Sequence, residues 1–281
     1  MACRDDSVAA EMTRWLGAPA DVMLATAAFG DDPGRWPLPA ARTPYDMWLR
    51  AVAAGGQGRF GCATADLADL RRRAPAGPLA SLAHSTHASF LRQLGGHAHA
   101  RGWDGRAQAL AGADPHARVD SLIGLAADAL GLNRFAASAA LLDRAHAALD
   151  EFPEQTSDRL QIRLAWVSAE LAMVTGDGAA AVRHAERAGE LAAAWSSLRH
   201  RVKTGVVLAA ALCSSGRIEQ ARQVADEALI ATERLGLVPV RWALAGLLAD
   251  LGSRVLTRQR LVVVRDGCAA ELHRRGGSWY R

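Results

Sequence analysis

Residues 158–195 read DRLQIRLAWVSAELAMVTGDGAAAVRHAERAGELAAAW, two helix-forming runs on either side of the turn Thr175-Gly176-Asp177. Ala169 and Ala172 stand seven and four residues before Gly176, and Ala181, Ala185 and Ala188 stand five, nine and twelve residues after it. At 3.6 residues per turn each set falls on one face of its run. The two faces meet when the chain doubles back, and small side chains there let the backbones approach closely. The stretch predicts an antiparallel helix hairpin.

The same template recurs along the chain. About Gly216 it gives Ala209 and Leu212, then Ala221, Ala225 and Ala228; about Asn133, Ala126 and Ala129, then Ser138, Leu142 and Ala145. About Gly58 it gives Ala51 and Ala54, then Ala63, Leu67 and Leu70. Fainter copies centre on Gly102, with Gly95, Ala98, Ala107 and Ala111, and on Gly252, with Ala245, Leu248, Leu261 and Val264. Gly and Asn both tolerate the left-handed conformation that ends a helix. With alanine about a fifth of the chain, five alanines in a chosen register arise about once in a few thousand trials. Four good copies, at spacings near 40 residues, therefore mark an internal repeat.

These hairpins resemble tetratricopeptide repeats, which carry small residues at the facing positions, a Gly-containing turn and an aromatic soon after it. Phe60 and Phe135, two residues after Gly58 and Asn133, match that aromatic. The resemblance is degenerate: no repeat opens with the family's large aromatic in its usual place, and only Pro153 stands as a terminal proline. The longer period is similar to that of helical sensor regions in some large bacterial transcription regulators. The resemblance implies an all-α fold, a right-handed α-solenoid of about five or six stacked antiparallel helix hairpins, over residues 44–275. An N-terminal helical segment (1–30, with Asp5, Asp6 and Ser7 as cap candidates and Pro19 as a break), a Pro-rich connector (31–44) and a short tail (276–281) complete the organisation.

Composition agrees with helix throughout. Half the residues are apolar but only 5% are aromatic, and alanine favours helix while offering little to a pleated face. The net charge of +4 is carried almost wholly by arginine, Lys203 being the single lysine; guanidinium forks suit carboxylates and phosphates. Cys3, Cys62, Cys213 and Cys268 are scattered and form no C-x-x-C pair, the pattern of reduced intracellular thiols. No basic-then-apolar leader opens the sequence, and no stretch is apolar for long enough to span a bilayer. A cytoplasmic protein without membrane contact is the expectation.

Signs of chemistry are sparse. His84 and His87 lie three apart on one helical face, with His97 and His99 following, but no carboxylate or cysteine accompanies them. They read as structural, and a metal protein or enzyme built on them is the weakest alternative. The glycine-rich AAGGQGRFG lacks the G-K-[ST] of a phosphate loop, and no hydrolase or metalloprotease motif occurs. Arg71, Arg72 and Arg73 read as a solvated helix end, where cations suit the negative pole. No helix-turn-helix signature supports direct nucleic-acid contact, so a transcription-associated regulator that touches nucleic acid is the second reading. The first is a non-enzymatic interaction or sensor module needing no cofactor, its concave groove holding a peptide, protein segment or small effector.

The resemblance also implies which residues line that groove, since in tetratricopeptide proteins the first helix of each hairpin faces inward. Candidate first helices place Arg159, Arg163, Arg199, Arg201, Lys203 and Arg241 near helix starts, with Trp166 and Trp242 beside them. Positive side chains are mildly unfavourable at a helix N-terminus; their gathering reads either as a solvated solenoid edge or as an anion-binding rim, and the second is the reading taken forward. The expected partner is a protein or peptide, acidic where it meets these residues.

Overall fold

The computed structural model describes residues 21–151 and 157–280. The proposed caps and break between residues 5 and 19, and Pro153, lie outside them. The described residues form thirteen α-helices and no strand. A short helix, α1 (Val22–Phe29), precedes six antiparallel hairpins: α2 (Pro44–Gly56) with α3 (Phe60–Arg73), α4 (Pro78–Gln93) with α5 (His97–Leu110), and α6 (Pro115–Gly131) with α7 (Phe135–Glu151). There follow α8 (Asp158–Val174) with α9 (Gly178–Ala194), α10 (Leu198–Ser214) with α11 (Ile218–Arg234), and α12 (Val238–Leu251) with α13 (Arg258–Arg274). Among the described residues no helix is long and apolar enough to cross a membrane.

Local chemistry sets the boundaries. Thr43 and Asp46 form a reciprocal capping box at the start of α2, with Pro44 in the first turn where its missing N–H costs nothing. Asp114 accepts from the Ala117 amide ahead of α6, and Asp177 from the Ala180 amide ahead of α9. The hairpin turns bend where expected: Gly176 and Gly216 have φ of 83° and 80°, and Asn133 reaches 58° without being glycine.

Four of the hairpins close on their small-residue stripes. Ala169, Ala172, Ala181, Ala185 and Ala188 are all buried, as are the matching residues about Gly216, Asn133 and Gly58. The copy centred on Gly102 does not exist. Gly102 lies inside α5, and the turn falls at Leu94–Gly96, with Ala98 exposed. Two glycines inside α5, Gly102 and Gly105, imitate a connector; the real turn uses Gly95 at φ 84°.

Successive hairpins stack through their first helices, α2 on α4, α4 on α6, α6 on α8, α8 on α10 and α10 on α12. The repeat shows in one recurring bond. The Trp48 indole N–H donates to Thr86 Oγ1 at 2.9 Å, and the Trp166 indole to Thr204 Oγ1 at 2.9 Å, each spanning 38 residues between neighbouring first helices. The molecule is an all-α helical-repeat solenoid.

Its two ends meet. The Arg275 guanidinium donates to the Gln57 carbonyl at 2.7 Å, and the Gly61 amide donates to the Arg275 carbonyl at 2.8 Å. Gly58 makes room for Leu272: a Cβ there would lie 2.3 Å from the leucine methyl. The tail then crosses to the second hairpin, where the Tyr280 amide donates to the Leu94 carbonyl at 2.9 Å. The Pro-rich segment is no free spacer, for the Gln57 side-chain amide donates to the carbonyls of Pro33 and Arg35, both at 2.9 Å.

Candidate functional site

Because first helices face inward and the ends meet, the concave side is narrowed to a cavity of about 260 Å³. Its walls come from α2, α4, α8, α10 and α12, with Phe60 and Leu272 from the outer helices at the closure. Along α8 the lining residues are Arg159, Arg163, Trp166 and Glu170, spaced four, three and four apart, one continuous helical stripe. On α10, Arg199, Lys203 and Val206 repeat the four-and-three spacing, with His200 and Val207 beside them.

Six of the eight groove residues expected from the sequence line this one cavity: Arg159, Arg163, Trp166, Arg199, Lys203 and Trp242. Arg201 and Arg241 do not. Arg201 lies two residues from both Arg199 and Lys203, about 200° around the helix, and its guanidinium instead donates to the Trp195 carbonyl at 3.2 Å. Arg241 pairs with Glu233 at 3.3 Å.

Next to the lining residues Arg159 and Arg199, but not itself lining the cavity, lies α1, whose residues Leu24–Phe29 are all buried. Phe29 packs against Trp48, Trp195 and His200 at centroid distances of 5.5, 6.0 and 6.0 Å. The guanidiniums of Arg159 and Arg199 stand 5.9 and 5.7 Å from its ring. The Leu198 amide ties the start of α10 to Gly30 at 3.1 Å. Gly56 allows Arg199 to cross toward α2, since a Cβ there would lie 2.8 Å from Arg199 Cδ.

The charges here do not balance. Asp120 on α6, fully buried, forms an ion pair with Arg159 Nη2 at 2.9 Å and accepts from Arg163 Nη1, so one carboxylate serves two guanidiniums. Ser85 donates to its other oxygen. Arg159 is only 7% exposed, yet its Nη1 has no hydrogen-bond partner, and neither has the buried Nε of Arg199. Burial first, then repulsion from Arg159 and Arg163, pushes the Arg199 guanidinium down to about 9. Burial lowers Arg159 and Arg163 to about 10 each. All remain charged at neutral pH, at the expense of desolvation.

Farther along the stripe Lys203 stands 4.3 Å over the Trp166 ring, and burial takes its ammonium down to about 8 against the pull of Glu170. Burial raises Glu170, with Lys203 opposing. His200 stacks on Trp166 at 5.5 Å and bonds Ser197 at 2.7 Å; burial and the surrounding cations hold it neutral. The remaining wall is largely apolar, with Phe60, Phe90, Val207 and Trp242 foremost.

A second buried charge cluster lies beside the cavity. Arg92 bridges Asp104 and, at 3.0 Å, Asp128. Each aspartate keeps one buried oxygen without a partner, and burial lifts Asp104 to about 7.

The four histidines of the sequence motif do not converge. His84 bonds the Ala80 carbonyl at 2.8 Å, and His87 stacks on Trp103 at 4.1 Å. His99 packs on Tyr280, while His97 fills the space over Gly131. No group of three or more His, Cys, Asp or Glu side chains among the described residues could hold a metal ion. Arg71–Arg73 form the last turn of α3, Arg72 and Arg73 pairing with Asp69 and Arg71 lying over Trp103.

Sequence reasoning missed Asp120, Glu170 and Phe29. Glu170 was findable, since it continues the 159–163–166 stripe. Asp120 and Phe29 reach the site from elements far away in the chain, and no local pattern marks them. Neither a protein-family model nor a curated protein sequence matches this chain.

Proposed function

We propose that this protein is a non-enzymatic sensor module that binds a small effector in the cavity at the centre of its helical repeats. The observation that carries the reading is the cavity's makeup: among its described lining residues four cations, Arg159, Arg163, Arg199 and Lys203, meet one carboxylate, Glu170, while Asp120 pairs with Arg159 and Arg163 from outside the lining. Uncompensated buried charge costs several kcal/mol unless a partner arrives, and at this site the partner is a ligand. The size favours a small molecule over a peptide, since ligand pockets begin at roughly 300 Å³. In this reading the hairpins are degenerate tetratricopeptide repeats, akin to the sensor regions of bacterial transcription regulators. Effector binding then changes how tightly the ends and α1 hold together.

The test uses the full chain and the fraction of a cell extract below 1 kDa. The wild type should gain melting temperature in that fraction and release a bound small molecule on denaturation. Val207→Phe, which narrows the cavity, should keep its circular dichroism spectrum and lose both effects. Equal stabilisation of wild type and Val207→Phe would place any binding elsewhere and end the proposal.

A further inference from the structure

The cavity has chemically distinct ends, and that polarity narrows what fits. At one end the lining carries three guanidiniums, of which Arg159 and Arg163 share the carboxylate of Asp120 while Arg199 makes no ion pair with it. Two of their buried nitrogens, Arg159 Nη1 and Arg199 Nε, have no acceptor. Guanidinium donors held this way match the oxygens of a carboxylate or phosphoryl group. About two helical turns along α8 the lining becomes more aromatic and apolar, with Trp166, Val207 and Trp242 among its residues. Lys203 stands over the Trp166 ring, and Glu170 offsets its charge there.

Resting on the sensor reading above, we propose that the effector is a small organic acid. Its oxyanion head sits between Arg159 and Arg199, and its flat apolar body lies against Trp166 and Trp242. A bare inorganic anion would leave the apolar wall unused. A neutral apolar molecule would leave the guanidiniums unpaired and desolvate them further. The cavity, about 260 Å³ and partly open to solvent, holds a small molecule whole, whereas a nucleotide or peptide would have to extend through the opening. Carboxylate and phosphate heads share this chemistry, and the probes below separate them.

The experiment titrates the full chain calorimetrically with phenylacetate, phenyl phosphate, phenylacetamide, acetate and inorganic phosphate. Phenylacetate or phenyl phosphate should bind at least tenfold more tightly than acetate, inorganic phosphate and phenylacetamide, the tighter of the two naming the head group. Arg199→Gln should weaken that binding at least tenfold, whereas Arg201→Gln, on the same helix but outside the cavity, should leave it unchanged. If Arg199→Gln does not fold, Val207→Phe supplies the comparison and should abolish binding. Acetate binding as well as phenylacetate would reduce the site to an unspecific cation cluster and overturn the proposal, as would phenylacetamide binding equally well. If no aromatic acid binds while the low-mass extract still stabilises the protein, the organic-acid inference falls and the sensor reading survives. If neither binds, both fall.

Discussion

Arg199 and Asp120 sit within one charge cluster, yet their removal should act in opposite directions. Arg199 has a buried nitrogen without an acceptor and two arginines as its strongest electrostatic neighbours. Replacing it by methionine keeps much of the stem and removes the cost, so Arg199→Met should stabilise the ligand-free protein by about 1 kcal/mol. Asp120 is the partner of two guanidiniums, and Asp120→Asn should destabilise by about 3–5 kcal/mol. Urea denaturation of both variants measures this; a destabilised Arg199→Met would mean the guanidinium is already satisfied. The Asp104–Arg92–Asp128 cluster gives a pH dependence of definite sign. Folded Asp104 keeps its proton up to about pH 7, whereas an unfolded aspartate releases it near pH 4, roughly. Between these limits the native state binds more protons, so this group's contribution to stability falls as pH rises. His87, pushed down to about 4 by burial, acts the other way, and subtraction isolates the aspartate. The stability of Asp104→Asn relative to wild type should rise from pH 4 to pH 7; a flat difference would show that Asp104 titrates normally.

Glycine separates real from imitated turns at the level of elements. Gly102 lies in the middle of α5, and a Cβ added there would meet nothing within 4 Å, so Gly102→Ala should stabilise by about 1 kcal/mol through helix propensity. Gly55 ends α2 against Phe90, where a Cβ would fall 2.2 Å from the ring; Gly55→Ala should cost about 1–3 kcal/mol by overpacking. Thermal melts of the two variants decide, and a destabilised Gly102→Ala would restore the turn that the sequence template placed there. The contrast shows what was legible. Ala169, Ala185 and their counterparts meet within one hairpin, so a local spacing rule finds them. The rule fails at α5 because glycines inside a helix look like connectors when only spacing is read. The inward stripes 159–163–166 and 199–203 were reached through the resemblance, which puts the first helix of each hairpin inside, and not through a spacing rule. Arg201 was misplaced because nearness to a helix start does not say which side of the helix a residue occupies. Asp120 reaches Arg163 across 43 residues, and no periodicity in sequence encodes that meeting.

The whole molecule is a solenoid whose last hairpin returns to its first, and the site depends on that return. Trp242 lines the cavity and packs at 4.6 Å on Trp279 of the tail, which then anchors through Tyr280 on Leu94. Removing residues 278–281 loses the Trp242–Trp279 and His99–Tyr280 ring contacts and the Tyr280–Leu94 backbone bond, and should lower stability by about 1–3 kcal/mol. The truncated chain should also exchange amide hydrogens faster in α4 and α12 than in α7 and α9; uniform exchange would mean the tail is not part of the closure. A crystal soaked with 4-bromophenylacetate tests the central claim most directly, because the anomalous signal of bromine locates the ligand without interpretation of weak density. The bromine should lie between Trp166 and Trp242, with the carboxylate directed at Arg159 and Arg199. Bromine found only on the outer helices, with the cavity unchanged, would contradict the account.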